Sequence, residues 1–350
     1  MAQGARRLRL VSPAAEPLVD PFGRRVRDLR ISVTDRCNLR CRYCMPADGL
    51  AWLPRDEVLS FEEITRVARV CVERFGFGSI RLTGGEPTVR ADLPRLVAML
   101  AELRPASGAG GRGVELSLTT NGTSFPLVAE KLRRAGLGRV NISCDSLRPD
   151  RFLVLTGRDA LPQVLEGVEA ALAAGFSPVK VNCVLMKGVN DDEIVDFAAY
   201  GREHGVTVRF IEFMPLDADQ AWSADRVVPA AEVVAAVDAV FPLEPVGPRG
   251  PEPAERFRYR DGRGEVGVIG SVTRSFCGSC DRVRLTADGK FRNCLFAVAE
   301  TDLRAVLRGG GTDDDVAAAI AADVGAKWAG HSIGRIEFRR PDRSMSQIGG

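Results

Sequence analysis

The sequence predicts an α/β fold: an incomplete (β/α)6 TIM-like barrel followed by a C-terminal α+β region. Three observations carry this expectation. Six short β-branched runs alternate with amphipathic stretches between residues 29 and 213. Polar or glycine-rich residues follow nearly every run, as "TDRCN", "TGGEP", "TNG", "SCDS", "MKGVND" and "FMP". The alternation stops after the Pro- and Gly-rich "FPLEPVGPRGPEPAERF" (241–257). Strand–helix units in series imply a parallel sheet. A doubly wound sheet would gather its chemistry at one switch point, whereas a barrel collects it from many strand ends.

Residues 1–20, rich in Ala, Pro and Arg, are expected to form a flexible tail. The strands follow as "LRISVT" (29–34), "SIRLT" (79–83), "VELSLT" (114–119), "RVNIS" (139–143), "VKVNCVL" (179–185) and "VTVRFIEF" (206–213). The first helix spans 60–76, with Ile64, Val67, Val70 and Cys71 on one face and a capping box formed by Ser60 and Glu63. "DLPRLVAMLAEL", "PLVAEKLRRAGL", "LPQVLEGVEAALAAGF" and "DDEIVDFAAYGREHG" read as the later helices. "RFRYRDGRGEVGVIGSVTRSF" reads as a hairpin-like region, and residues 305–330 return to helix, broken by the glycines after Arg308. The expected organisation is a flexible tail (1–20), a partial barrel (21–245), a C-terminal domain (246–340) and a flexible tail ending in Gly349–Gly350 (341–350).

The 350 residues are 45% hydrophobic, 27% charged and 6% aromatic, an ordinary globular balance. A formal charge of +2 argues against a general nucleic-acid binder. No run approaches the roughly 20 apolar residues of a membrane span. "MAQGARRLRLVSPAAEPLVD" lacks the apolar core of a signal peptide, so a cytoplasmic, reducing location is expected. The nine cysteines are then expected to be metal ligands, catalytic groups or small buried apolar residues. Cys71, Cys144 and Cys183, on helix faces or strand runs, fit the last description.

Cys37, Cys41 and Cys44 stand as C-x3-C-x2-C directly after the first strand. Three thiolates in a tight loop can hold three irons of a [4Fe–4S] cube and leave the fourth open; a zinc knuckle short of one ligand is the alternative. In "TGGEP" (83–87), Gly84 and Gly85 permit close backbone approach, and Glu86 can accept from an ammonium. "SFCGSCDRVRLTADGKFRNC" (275–294) holds a second trio, Cys277, Cys280 and Cys294. His331 can complete a Cys3His zinc site there; otherwise the trio leaves another iron open. Arg282 and Arg284 alternate on an extended segment, so both guanidiniums point to one side. They suit phosphate oxygens, unless they are simply a solvated surface pair.

At the first cysteine loop and the glycine turn the chain resembles the radical S-adenosylmethionine (SAM) superfamily. That resemblance implies a radical SAM barrel, with SAM on the open iron of a [4Fe–4S] cluster and Glu86 in the SAM-methionine contact. From about Phe22 to Gly350 the chain is similar to the GTP 3′,8-cyclase family of molybdenum cofactor biosynthesis. The similarity rests on "LRISVTDRCNLRCRYCMP", "RLTGGEPTVR", "LTTNG", "VKVNCVLMKGVND", "RFIEFMP", "SFCGSCDRVRLTADGKFRNCLF" and the final "IGG". It implies a second [4Fe–4S] cluster on Cys277, Cys280 and Cys294, carried by the C-terminal region, with its free iron against the guanine of GTP. It further implies SAM contacts at Tyr43, Gly85, Ser143 and Met214. The implied GTP-binding positions are Arg30, Arg81, Thr119, Lys180, Arg282, Val283 and Arg284, with Arg209 near the triphosphate.

The implied reaction removes the ribose C3′ hydrogen of GTP through a 5′-deoxyadenosyl radical and joins C3′ to C8, giving 3′,8-cyclo-7,8-dihydro-GTP. No residue is assigned as the catalytic quencher of the cyclised radical. The implied partners are a downstream cyclic pyranopterin monophosphate synthase and a flavodoxin- or ferredoxin-type reductant, around a monomer or homodimer. The family likeness also suggests that the glycine tail enters the active site. The competing readings are a radical SAM peptide-maturing enzyme with an auxiliary cluster, and a non-catalytic ferredoxin-like carrier or zinc-stabilised module.

Overall fold

The computed structural model describes residues 16–46, 49–105, 113–217 and 220–349. Six parallel strands form its centre in chain order: β1 Asp28–Ser32, β2 Ser79–Thr83, β3 Glu115–Thr120, β4 Arg139–Ser143, β5 Val179–Leu185 and β6 Thr207–Glu212. They coincide with the six β-branched runs to within one or two residues. Between them run α1 Phe61–Arg69, α2 Leu93–Ala101, α3 Ala129–Arg134, α4 Pro149–Thr156, α5 Leu161–Ala173 and α6 Ile194–His204, with α7 Ala230–Asp238 after β6. Ser60 and Glu63 form the expected capping box on α1, and the helix continues as a wider π turn over Val70–Arg74. α4 and α7 were not read from the sequence. Both are short and begin at a proline or just after one, which fixes the entry φ of a helix without apolar periodicity.

The remaining strands are β7 Leu243–Pro245, β8 Glu255–Tyr259, β9 Glu265–Ile269, β10 Arg282–Leu285, β11 Lys290–Arg292 and β12 Thr301–Asp302. β8 and β9 form the expected hairpin. The sheet does not stop at the 245/246 boundary, however. β9 pairs parallel to β6, and β10 pairs parallel to β1, so the C-terminal region extends both edges of the six-stranded core. Consecutive strands β9 and β10 thus lie on opposite edges. The segment joining them, 270–281, spans from one edge to the other and carries Cys277 and Cys280. Among the described residues no strand pairing closes the sheet on itself, in agreement with an incomplete barrel.

The two faces of the central strands differ sharply. Leu29, Ile31, Leu82, Leu118, Val140, Ile142, Val181, Val208 and Phe210 are buried in the core shared with the helices. The alternate positions, including Arg30, Arg81, Thr119, Ser143, Asn182 and Arg209, line an interior cavity. A period of two along each strand therefore separates a packing face from a chemical face. Phe210, 1% exposed, meets Phe197 edge-on at 6.3 Å between centroids. Phe210→Ala is expected to lower stability by about 3–5 kcal/mol; denaturant unfolding of the cluster-free chain measures it, and a loss under 1 kcal/mol, well below that range, would contradict the packing argument.

Helices α8 Leu303–Arg308 and α9 Asp313–Gly325 break at the glycines after Arg308, as expected. The final tail differs from expectation. It was read as flexible, but α10 Met345–Ile348 is packed, with Ile348 1% exposed against Leu216 and Phe296. Arg343 anchors it by donating to Asp288 Oδ2 at 2.8 Å and to Glu300 Oε2 at 3.1 Å. The N-terminal segment expected to be flexible lies outside the described residues up to position 15. Beyond it Leu18 and Asp20 are buried, and the Val26 amide donates to the Leu18 carbonyl, so 16–20 are tied down.

Candidate active site

The Cys37–Cys44 loop leaves the end of β1 and is held by backbone bonds to the end of α4, from Arg40 to Thr156 and from Arg42 to Leu155. The glycine turn after β2 lies directly beneath it. A Cβ on Gly84 would stand 2.3 Å from the Thr34 carbonyl oxygen, and one on Gly85 2.3 Å from that of Arg36. The Gly85 and Glu86 amides donate to those same two carbonyls at 2.8 and 2.7 Å. The two motifs are thus one interlocked unit, which only glycine at both positions allows.

Glu86 is held by its own neighbours. Its carboxylate accepts from the Thr88 amide and hydroxyl, the Thr120 hydroxyl and the Asn121 amide, at 2.6–3.0 Å. Glu86 thus braces the ends of β2 and β3 while still lining the cavity, and among the described residues its Oε2 accepts only the Asn121 amide. Asn121 extends the brace to the cysteine loop through Asn38 Oδ1 at 2.8 Å.

Tyr43 donates its hydroxyl to Asp145 Oδ2 at 2.6 Å, and Asp145 Oδ1 accepts from the Val184 amide at 2.8 Å. Burial pushes the Asp145 carboxyl up to about 6, against these two hydrogen bonds. Burial likewise raises the thiols of Cys37, Cys41 and Cys44, the last to about 12. Hydrogen bonds from Leu39, Asn121, Tyr43 and Ser346 oppose that rise without overcoming it. A bound metal supplies the compensation, which is the behaviour of ligand cysteines rather than of a nucleophile.

A band of cations runs along the chemical face. β1 and its neighbours set Arg30 beside Arg81 on one side and Arg284 on the other. Arg282 projects from the same strand as Arg284, and Arg209 enters from β6. Arg209 Nη2 donates to Asn141 Oδ1 at 2.6 Å, and Arg282 lies over the Phe276 ring at 4.8 Å. Yet Arg30 Nε, Arg209 Nε, Arg282 Nη2 and Arg284 Nε are buried without a partner among the described residues. Burial holds the Arg30 and Arg284 guanidiniums down at about 9 and Arg81 and Arg209 at about 10, with neighbouring arginines adding to the effect. Several unpaired donors turned into one cavity form a receptor for a polyanion.

The second cysteine trio faces the first across this band. Cys37, Cys41, Cys44, Cys277, Cys280 and Cys294 all line the same cavity. Burial raises the Cys277 thiol, but the His331 imidazole and the Ser275 hydroxyl outweigh it and hold it near 6. Burial likewise opposes ionisation of Cys280, and Arg282 and Lys327 bring it below the usual thiol value. The second site is therefore electropositive where the first is not. His331 stands beside Cys277, but its Nε2 lies 2.8 Å from the Ser271 carbonyl. Two separate thiol trios on an open cavity fit two [4Fe–4S] clusters.

Of the sequence candidates, Arg30, Arg81, Thr119, Arg209, Arg282, Arg284, Tyr43, Gly85, Glu86, Ser143 and Met214 line the cavity. Lys180 stands on β5 beside Asn141 and close to Arg209. The Val283 side chain does not line the cavity: it is fully buried in the apolar core, facing away from Arg282 and Arg284, so any contact it makes there is through its backbone. Asp145, Asn121 and Asn182 also line the cavity and were not singled out. The polar strand-end segments "SCDS" and "TNG" were the signal for the first two.

The remaining participant is the C-terminal tail. Met345 lines the cavity, Ser346 hydrogen-bonds the Cys44 thiol, and Ser32 Oγ donates to the Ile348 carbonyl at 3.1 Å. Gly349 follows with φ +85°, at the ends of β1 and β2.

The chain matches the family model of the radical SAM superfamily over residues 31–201 and that of Molybdenum Cofactor Synthesis C over 206–333. It is 48% identical to the GTP 3′,8-cyclase of Mycolicibacterium smegmatis, covering 97% of this chain and 93% of that one. The GTP 3′,8-cyclase of Streptomyces coelicolor is also 48% identical, over 96% of this chain and 97% of its own. Among solved structures, anSMEcpe with bound AdoMet is 16% identical with a TM-score of 0.57, covering 86% of this chain and 78% of that one. Streptococcus suis SuiB bound to S-adenosylmethionine is 13% identical with a TM-score of 0.56, covering 81% and 64%. These distant likenesses speak to the fold alone.

Proposed function

The chain belongs to the GTP 3′,8-cyclase family of radical SAM enzymes, and we propose from that premise that it converts GTP to 3′,8-cyclo-7,8-dihydro-GTP, the first step of molybdenum cofactor biosynthesis. The observation that carries the proposal is the band of buried guanidiniums, four of them with a nitrogen left unpartnered among the described residues, in the cavity that both cysteine trios line. A [4Fe–4S] cluster with SAM, when bound at Cys37, Cys41 and Cys44, supplies the hydrogen-abstracting 5′-deoxyadenosyl radical. The protein's own part is positional. Tyr43, Gly85, Ser143 and Met214 surround the SAM end of the cavity. Arg30, Arg81, Arg209, Arg284 and Lys180 hold the phosphates, Thr119 flanks them, and Arg282 with Cys277, Cys280 and Cys294 receives the guanine end. Fixing both ends of the nucleotide leaves the ribose between the two sites, which is what a ring closure from C3′ to C8 requires.

The 48% identity to cyclases over nearly the whole chain favours this reading over a radical SAM peptide-maturing enzyme with an auxiliary cluster. Among the described residues no helix is long and apolar enough to cross a membrane. The reading includes a cytoplasmic setting, a flavodoxin- or ferredoxin-type electron donor, and transfer of the product to a cyclic pyranopterin monophosphate synthase. Anaerobic incubation of the reconstituted protein with SAM, dithionite and each nucleoside triphosphate in turn tests it. Cyclised product and deoxyadenosine should form with GTP alone; equal turnover with another triphosphate would remove the GTP assignment.

Lys180 adds a pH signature. Burial, with Arg209 and Arg139 nearby, lowers its ammonium from 10.5 to about 8. A base with a lowered pKa becomes neutral as pH rises through that value, and a bound polyanion must recharge it. GTP affinity is therefore expected to fall as pH rises above about 8, by at most tenfold per unit. Lys180→Met should weaken binding at pH 7 and flatten that limb. An unchanged slope in the variant, read by equilibrium dialysis with GTP, would remove Lys180 from the phosphate site.

A further inference from the structure

Two buried cations that do not line the cavity converge on the second cysteine trio from behind. Arg24 is 7% exposed and Lys327 4%. Arg24 Nε donates to Asp20 Oδ2 at 2.5 Å, while its Nη1 donates to the Cys277 carbonyl at 2.7 Å and the Ala329 carbonyl at 2.8 Å, and its Nη2 to the Trp328 carbonyl. Lys327 Nζ donates to the Arg282 carbonyl at 2.7 Å and the Asn293 carbonyl at 2.5 Å. Arg282 is two residues after Cys280, and Asn293 immediately precedes Cys294. One cation thus fastens the Cys277 arm, and the other ties the Cys280 arm to the Cys294 arm. Both act through the short segment 327–329, whose neighbour Gly330 lies so close to Cys277 that a Cβ there would stand 2.9 Å from the cysteine's own Cβ.

Burying an ammonium on two carbonyls leaves most of its charge uncompensated. The ammonium sits on the carbonyls of Arg282 and Asn293, within two residues of Cys280 and Cys294 in the chain. The nearby carboxylate of Asp323 is engaged by the Thr301 hydroxyl at 2.8 Å rather than by the lysine. Arg24 differs, because Asp20 neutralises it. Its role is geometric, whereas that of Lys327 is geometric and electrostatic. We propose that Arg24 and Lys327 are positioning residues of the second cluster: Arg24 sets the place of Cys277, and Lys327 joins the other two ligand arms and makes the cluster easier to reduce. This rests on the reading of the second trio as a [4Fe–4S] site. A buried cation beside a cluster stabilises the form with the extra electron, so its removal shifts the potential down.

The test uses the full-length chain with Cys37, Cys41 and Cys44 all changed to Ala, reconstituted anaerobically with iron and sulfide so that only the second trio can carry a cluster. Iron and sulfide per chain are measured, and the cluster is titrated electrochemically with EPR detection. In that background Lys327→Gln, which keeps a donor for the carbonyls but drops the charge, should retain the cluster at a more negative potential. Lys327→Arg should restore it. Arg24→Met should lower cluster iron well below that of the parent.

A parental potential in Lys327→Gln overturns the electrostatic role, and parental iron content in Arg24→Met overturns the geometric one. Should Lys327→Gln not fold, Lys327→Met, an unbranched side chain of similar length without the charge, takes its place. It should shift the potential downward, and a parental potential overturns the electrostatic role. If the parent itself takes up no iron–sulfur cluster, the two-cluster reading falls, a failure distinct from parental behaviour in the variants.

Discussion

Gly349→Val is expected to lower cyclised product by at least about 100-fold while leaving cluster iron unchanged. The backbone at Gly349 has φ +85°, a conformation a β-branched residue adopts only with strain. Space forbids the change as well. A Cβ there would stand 2.2 Å from Ser32 Oγ and 2.8 Å from Thr83 Cγ2. Ser32 holds the preceding carbonyl, of Ile348, so the valine cannot be absorbed without withdrawing the tail from the ends of β1 and β2. Those ends carry the cysteine loop and the glycine turn, and Ser346 touches Cys44 on the way. Withdrawal would open the SAM end of the cavity to water and displace the nucleotide, yet no cysteine ligand is changed. Deoxyadenosine formed per product should therefore rise, because radical formation persists while cyclisation fails. Parental coupling in the variant would show that the tail is only packing.

Much of this arrangement was legible in the sequence, and the limits have physical causes. The six strands and the capping box of α1 follow from local periodicity and side-chain chemistry, which act over a few residues. Both cysteine trios and the alternating Arg282 and Arg284 were visible because a metal site fixes spacing and a strand fixes direction. What escaped depends on contacts distant in sequence. Nothing local says that β9 and β10 join opposite edges of one sheet, or that Arg24 reaches the carbonyl of Cys277. The tail's polar, glycine-ended composition suggested mobility; only Leu216, Phe296 and the acceptors of Arg343, all far upstream, give it a place to pack. Glu86 shows the same limit at close range. Its motif was recognised, but its partners Thr120 and Asn121 come from the next strand end and add a bracing role that no local signal announced.

Arg284→Met is expected to separate stability from function in opposite directions. The guanidinium is buried at 4% exposure between Arg30 and the second trio, and its Nε has no partner among the described residues. In the ligand-free protein it is a desolvated charge among like charges, which is why its pKa is held near 9. Removing such a charge in favour of an apolar side chain of similar length stabilises the fold. The thermal midpoint of the ligand-free variant should therefore rise by a few degrees. GTP affinity should fall by about 10- to 100-fold, the worth of one buried hydrogen bond to a charged group. Lys in the same place should not restore it, since an ammonium lacks the fork that lets one side chain address two phosphate oxygens. The two readouts must move apart. A variant that loses both stability and affinity would mean that Arg284 holds the sheet together, and one that gains stability at parental affinity would mean that the phosphates lie elsewhere in the cavity.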